Sequence, residues 1–228
     1  METLYDRLSK DVRYIEGLNA CINCGTCTAI CPAAEVSDYD PRMLMDSVQE
    51  HNEDVLREIL SSDTIWRCGE CLSCKTRCPK GNTPGSVVQA LRNLSVETGL
   101  FMKSSQGQKQ LALKRMIGED ILRFGYCVYV DQINTGSHPE QGPVWDWFKK
   151  NKESLLQRFG ASYGKETSGT LRKIPEESLD ELRNIFKETG ALDRFAQIES
   201  LSSDHARELG LEFTEGKDEY FRFLYEQE

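Results

Sequence analysis

The sequence lacks any long hydrophobic run: its longest stretch of consecutive apolar residues, around Cys127–Val130, falls far short of the roughly 20 residues a membrane-spanning helix needs. It is also short of positive charge. Against 37 acidic side chains it carries 28 basic ones, a formal charge of -9, which disfavours a nucleic-acid partner. The opening residues Met1-Glu2-Thr3-Leu4-Tyr5-Asp6-Arg7 show no basic stretch followed by an apolar one. No secretory leader is therefore expected, and the default location is the cytoplasm. Signatures of common catalytic sites are missing as well: no G-x-G-x-x-G, no G-x-x-x-x-G-K, and no pair of histidines at ligand spacing. The three histidines, His51, His138 and His205, stand far apart and read as structural or solvent-facing. No residue presents itself as a catalytic acid, base or nucleophile, so the chain is expected to be non-catalytic.

What the sequence does have is cysteine. Of its nine, eight form two groups, Cys21, Cys24, Cys27, Cys31 and Cys68, Cys71, Cys74, Cys78. Both read C-x2-C-x2-C-x3-C-P, with Pro32 and Pro79 closing the two copies. Disulfides fit poorly, because the cysteines are too close together for bridges to close useful loops in a chain for which no leader is expected. Structural zinc would want two separated pairs, not three ligands at successive steps of three plus a fourth. Three thiolates so spaced can wrap one iron–sulfur cluster from a tight loop, and Gly25 and Gly69 are expected to ease that loop. The fourth cysteine begins the outgoing chain, which the proline turns away.

This run is similar to that of the two-cluster ferredoxins, where it binds [4Fe–4S] clusters and the fourth cysteine serves the other cluster. By that resemblance Cys21, Cys24, Cys27 and Cys78 hold one cluster, and Cys68, Cys71, Cys74 and Cys31 the second. The ninth cysteine, Cys127, lies in the apolar stretch Phe124–Val130 and is expected to be a buried hydrophobe. Arg67, Lys75, Arg77 and Lys80 crowd the second motif, whereas no basic residue lies between Cys21 and Cys31. The second cluster is therefore expected to have the higher potential.

Around the motifs the pattern is helical. Leu4, Leu8, Val12 and Ile15 predict an amphipathic helix over residues 2–17, ended by Gly17. Asp40-Pro41 caps a linker of two helices that breaks near Asn52, and Thr83-Pro84 opens a helix running to about Gly99. Residues 1–104 thus read as an α-helical ferredoxin with two [4Fe–4S] clusters, and 105–228 as a helical C-terminal extension for partner docking, all-α throughout. Within the extension, a helix carries Leu111 to Leu122, and an irregular segment runs from Gly125 to Pro143. Further helices are expected over 144–159 and over 178–189, the latter opened by Ser178 and Glu181 in capping-box spacing, then only shorter pieces. Gly160–Gly169 reads as an exposed loop. Trp145, Trp147 and Phe148, and the tail residues Tyr220, Phe221, Leu224 and Tyr225, divide between core packing and a partner surface.

The stretches from Cys21-Ile22-Asn23-Cys24-Gly25-Thr26-Cys27 to Cys31-Pro32 and from Trp66-Arg67-Cys68 to Cys78-Pro79 resemble the C-type subunit of heterodisulfide reductase. So do Thr83 to Gly99, Ile174-Pro175-Glu176 and Glu188-Thr189-Gly190. The resemblance implies a subunit that passes single electrons between a flavin-containing A-type subunit and a B-type subunit carrying CCG motifs and the disulfide chemistry. In methanogens the substrate is the mixed disulfide of coenzymes M and B; related sulfur-oxidising complexes handle sulfur on a lipoate-carrying protein, and the long extension is similar to theirs. The cysteine motifs are shared with iron–sulfur subunits of membrane-linked dehydrogenases related to succinate dehydrogenase and glycolate oxidase, the alternative assignment. No CCG doublet and no flavin-binding pattern occur in this chain.

Overall fold

A computed structural model describes residues 2–132, 135–136, 142–214, 216 and 218–226. Among them every regular element is helical and no strand forms. His138 lies outside the described residues, as does the side chain of Tyr225. The chain divides into two compact units, Met1–Gln108 and Lys109–Glu228.

The first unit begins with two short helices where the periodicity predicts one. Thr3 and Asp6 form a reciprocal capping box at the start of α1 (Leu4–Leu8), and Asp11 caps α2 (Val12–Gly17) by accepting from the Arg13 N–H at 2.8 Å. Asp11 offers its carboxylate to a fresh helix start, which breaks the run. Leu4 and Leu8 are buried, while Val12 and Ile15 are 59% and 58% exposed, so the predicted continuous apolar face ends with α1. After α3 (Thr26–Ala29) and α4 (Pro32–Val36), the linker forms α5 (Pro41–Gln49) and α6 (Glu53–Ser61). Asp40 and Asn52 cap them through their side chains, each accepting from two backbone N–H groups. The break falls at Asn52 as the sequence predicts.

The centre of this unit is α7 (Pro84–Glu97). Val87, Val88, Ala90, Leu91 and Leu94 are buried against Leu4, Leu8, Leu44, Met45, Val48, Leu56 and Leu60. Each fully buried aliphatic side chain contributes about 1.5–3 kcal/mol, so α7 is the fixed post to which the loops are attached. Proline at its first position, not a Thr83 side-chain bond, starts the helix. A 3₁₀ turn, Leu100–Lys103, and α8 (Ser105–Gln108) finish the unit, with the Asp63 carboxylate accepting from Ser104, Ser105 and the Gln106 N–H.

In the second unit α9 (Gln110–Leu113) passes through a π-helical turn, Lys114–Gly118, into α10 (Glu119–Phe124). Gly118 is where Phe195 enters: a Cβ there would sit 2.6 Å from its ring. The described parts of 125–143 are irregular, and α11 (Val144–Arg158) follows. Then α12 (Glu176–Glu188) begins two residues before Ser178, with Pro175 at its N-cap, so Ser178 is not a cap. A single 19-residue helix, α13 (Ala191–Leu209), replaces the expected shorter pieces; Gly190 and Gly210, both left-handed, bracket it. The chain ends in α14 (Glu219–Glu226). Tyr220, Phe221 and Leu224 are buried, as is Arg115, whose guanidinium binds Glu199, Asp218 and the carbonyls of Thr214 and Gly216. Trp145 meets Phe148 edge-to-face at 5.9 Å, while Trp147 is 55% exposed. Cys127 is also exposed, contrary to its apolar sequence surroundings.

Candidate functional site

The two cysteine loops share one backbone plan. In the first, Asn23 and Gly25 take left-handed conformations at φ 55° and 79°; at the same places in the second stand Glu70 and Leu72, at 52° and 57°. Glycine is therefore needed at neither left-handed position of the second loop, and Gly69, expected to ease it, is not among the residues with positive φ. Glu70 is instead secured by an ion pair to Arg92 and a bond from Gln89 at 3.1 Å. Such tethering offsets the cost of a non-glycine left-handed residue. The fourth cysteines also match: Cys31 lies at φ -78°, ψ 116° and Cys78 at φ -76°, ψ 119°. This is the extended conformation that a following proline imposes.

Contacts from α7 and α5 then hold the loops. The Gly17 carbonyl accepts from the Thr83 N–H at 2.8 Å, and the Asn19 N–H donates to Asn82 at 2.6 Å, so the chain entering the first loop is tied to the chain leaving the second. Gln49 accepts from the Cys21 N–H at 2.7 Å. Arg92 donates to the carbonyls of Ile65 at 2.8 Å and Cys68 at 2.6 Å while lying over the Trp66 ring.

The result is two cavities. One is lined by Cys21, Cys24, Cys27 and Cys78, with Ile22, Met45 and Pro84 among its apolar walls. The other is lined by Cys31, Cys68, Cys71 and Cys74, with Pro32, Ala33, Leu72 and Pro84. Three thiols of one motif meet the fourth of the other in each case, and all eight are free of disulfides. Among the described residues, no three His, Cys, Asp or Glu side chains converge closely enough to chelate a single metal ion. Donors that are all thiol, four to each cavity and set among apolar walls, fit a polynuclear iron–sulfur guest.

The electrostatics repeat as well. Thr26 Oγ1 lies 3.3 Å from Cys24 Sγ and Ser73 Oγ lies 3.4 Å from Cys71 Sγ, and these hydroxyls together with the Thr26 and Ser73 backbone N–H groups lower both thiol pKa values. Burial instead pushes Cys27 and Cys74 up, opposed at Cys74 by the Gly85 N–H at the start of α7. A hydroxyl one residue before the third cysteine was a signal available in both motifs. Tyr39 was not legible in that way. It is 2% exposed on the wall of the second cavity; burial, then Cys68, Cys31 and Cys74, raise its pKa. No tyrosine lines the first cavity.

The cations are not arranged as their sequence positions predict. Lys80 lines the first cavity together with Arg42, and of the four cations near the second motif only Arg67 lines the second, paired to Asp38. Because Cys78 crosses over, the residues after it go with the first site. The expected higher potential of the second cluster thereby loses its charge argument.

Residues 17–82 match the model of a 4Fe-4S dicluster domain. The chain is 33% identical over 179 residues to the C-type subunit of the ferredoxin:CoB-CoM heterodisulfide reductase of Methanosarcina acetivorans, covering 77% of this chain and 68% of the relative. The chain belongs to the family of heterodisulfide reductase C-type subunits. It is also 32% identical over 173 residues to a C-type subunit of the H(2)/formate:CoB-CoM heterodisulfide,ferredoxin reductase of Methanococcus maripaludis, covering 76% and 75% of the two. With the C-type iron–sulfur subunit of the CoB–CoM heterodisulfide reductase of Methanopyrus kandleri it shares 32% over 114 residues, half of this chain and 53% of that one. Family membership makes this an iron–sulfur electron-transfer subunit, and the longer alignments exceed the 108 residues of the first unit. No described helix is long and apolar enough to cross a membrane.

Proposed function

We propose that this chain is the electron-carrying subunit of a heterodisulfide reductase-like complex, holding one [4Fe–4S] cluster on Cys21, Cys24, Cys27 and Cys78 and a second on Cys68, Cys71, Cys74 and Cys31. When bound, such a cluster takes up and returns one electron without forming or breaking a bond to a substrate. The chain's own work is positional. Arg92 fixes the Cys68 carbonyl and Glu70; Gln49 and Asn82 fix the entry to the first loop; Thr26, Ser73 and the Gly85 N–H turn dipoles toward sulfur. Apolar side chains such as Met45, Pro84 and Leu72 line the cavities and lower the local dielectric around those dipoles.

The observation that carries this reading is the lining of the two cavities, each by three thiols of one motif and one of the other. The electrons pass between a flavin-containing A-type subunit and a B-type subunit with CCG motifs, in disulfide or sulfur metabolism, and residues 105–228 dock those partners. The relatives' names, each a C-type subunit of a heterodisulfide reductase, support membership of a multisubunit complex, and alignments that run past the first unit support a role for the extension. The test is an iron and acid-labile sulfide assay on anaerobically purified protein, with electron paramagnetic resonance after dithionite reduction. The expected result is about eight irons and eight sulfides per chain, with two interacting paramagnets. Zinc without labile sulfide would overturn the reading.

A further inference from the structure

Although the chain is acidic overall, no Asp or Glu falls between Glu70 and Glu97. Within that gap lies the segment that crosses from one cavity to the other: Cys74 lines the second, and Cys78, Pro79 and Lys80 line the first. Lys75, Arg77 and Lys80 on this crossover are all exposed. None of the three has a carboxylate partner among the described residues, whereas Arg7, Arg13, Arg42, Arg67 and Arg92 of the same unit each sit against one. The segment also faces open space, since nothing lies within 4 Å of a Cβ built on Gly81. Beside it the exposed Cys24 and the 55% exposed Ile22 belong to the first cavity.

Exposed cations without a carboxylate partner contribute little to folding stability. Their field is local, and a local field of one sign over a redox site raises encounter rates with oppositely charged partners by roughly ten- to a thousandfold at low salt. The net charge of -9 repels an extended polyanion such as nucleic acid, but not a compact partner whose acidic face covers only this strip. We propose that the crossover bearing Lys75, Arg77 and Lys80 is the docking surface for the acidic face of a one-electron redox protein, which exchanges electrons at the cavity of Cys21, Cys24, Cys27 and Cys78. This rests on the reading that the thiols hold clusters.

The test uses the full, anaerobically purified chain, with iron and sulfide counted on the same sample, so loss of clusters is scored separately against that underlying reading. The dithionite-reduced protein is mixed in stopped flow with ferricyanide, each encounter moving one electron to its iron(III) and giving ferrocyanide, and separately with cationic hexaammineruthenium(III). At low ionic strength the ferricyanide rate constant falls with added salt, and Lys75→Glu/Arg77→Glu/Lys80→Glu lowers it about tenfold. A control of equal net charge, Lys103→Glu/Lys150→Glu/Lys165→Glu, changes it less than twofold. Equal effects of the two triples would overturn the proposal. In a second arm, carbodiimide couples an acidic two-iron ferredoxin to Lys75 or Lys80 of the native chain. Coupling elsewhere, or none at all despite a charge-sensitive ferricyanide rate, would show a site for small anions only and overturn the protein docking.

Discussion

Tyr39→Phe isolates one hydroxyl beside one cluster. The ring stays in its buried seat and only the hydroxyl on the wall of the second cavity is removed, so packing around that cavity is conserved. A hydrogen bond from that hydroxyl to a cluster sulfur would contribute about 1.5–3 kcal/mol. Only the difference between the two redox states moves a potential, and the reduced cluster, one electron more negative, pulls harder on the donor. Taking that difference as about 1 kcal/mol, and about 59 mV for each 1.4 kcal/mol in a one-electron couple, the second cluster falls by about 40 mV. The first, with no tyrosine on its wall, stays where it is. Tyr5→Phe serves as control, since the Tyr5 hydroxyl donates to the Val48 carbonyl at 2.9 Å and should move neither. A paramagnetic resonance titration poised across both couples reads the two values in one sample. An upward shift, no shift, or equal shifts of both clusters would refute the argument.

Three further outcomes follow from the packing. Gly107→Ala places a Cβ 2.4 Å from the Phe101 carbonyl oxygen and should cost the first unit about 1–3 kcal/mol in denaturant unfolding; Gly69→Ala meets nothing within 4 Å and should stay within about 0.5 kcal/mol. Arg115→Met leaves Asp218 and part of the Glu199 carboxylate facing no cation, a loss of about 3 kcal/mol, read by thermal unfolding. Acid should reveal the same pair. Burial alone would raise both acids, but hydrogen bonds and the nearby cations outweigh it and their pKa values are lowered. Their stabilisation is therefore complete above the ordinary carboxylate pKa and is lost as pH falls below about 4, giving a steeper acid limb in the native protein than in Arg115→Met.

The sequence was most informative where local chemistry decides structure. Asp40-Pro41, Asn52 and Pro84 mark helix starts because a cap or a fixed φ acts on its own neighbours, and the duplicated C-x2-C-x2-C-x3-C-P is likewise local. What escaped was set at long range. Tyr39 gives no sign in sequence that it will face Cys68, and Arg92 reaches back to Cys68 and Glu70 only because α7 is buried beside the loops. Cys127 sits among apolar neighbours yet is exposed, since burial depends on what packs from elsewhere. Asp11 caps α2 inside a stretch whose apolar periodicity predicts one unbroken helix. Lys80 misled for a related reason: adjacency in sequence assigned it to the second motif, and the crossover at Cys78 moved it to the first.

The central claim is the exchange of fourth ligands, and the most direct measurement is the pair Cys78→Ser and Cys31→Ser, each purified anaerobically and examined by Mössbauer and paramagnetic resonance spectroscopy beside the native protein. The account predicts that Cys78→Ser alters the cluster of Cys21, Cys24 and Cys27 and spares the other, and that Cys31→Ser does the reverse. If Cys78→Ser instead perturbed only the cluster of Cys68, Cys71 and Cys74, each motif would hold its own cluster and the account would be wrong.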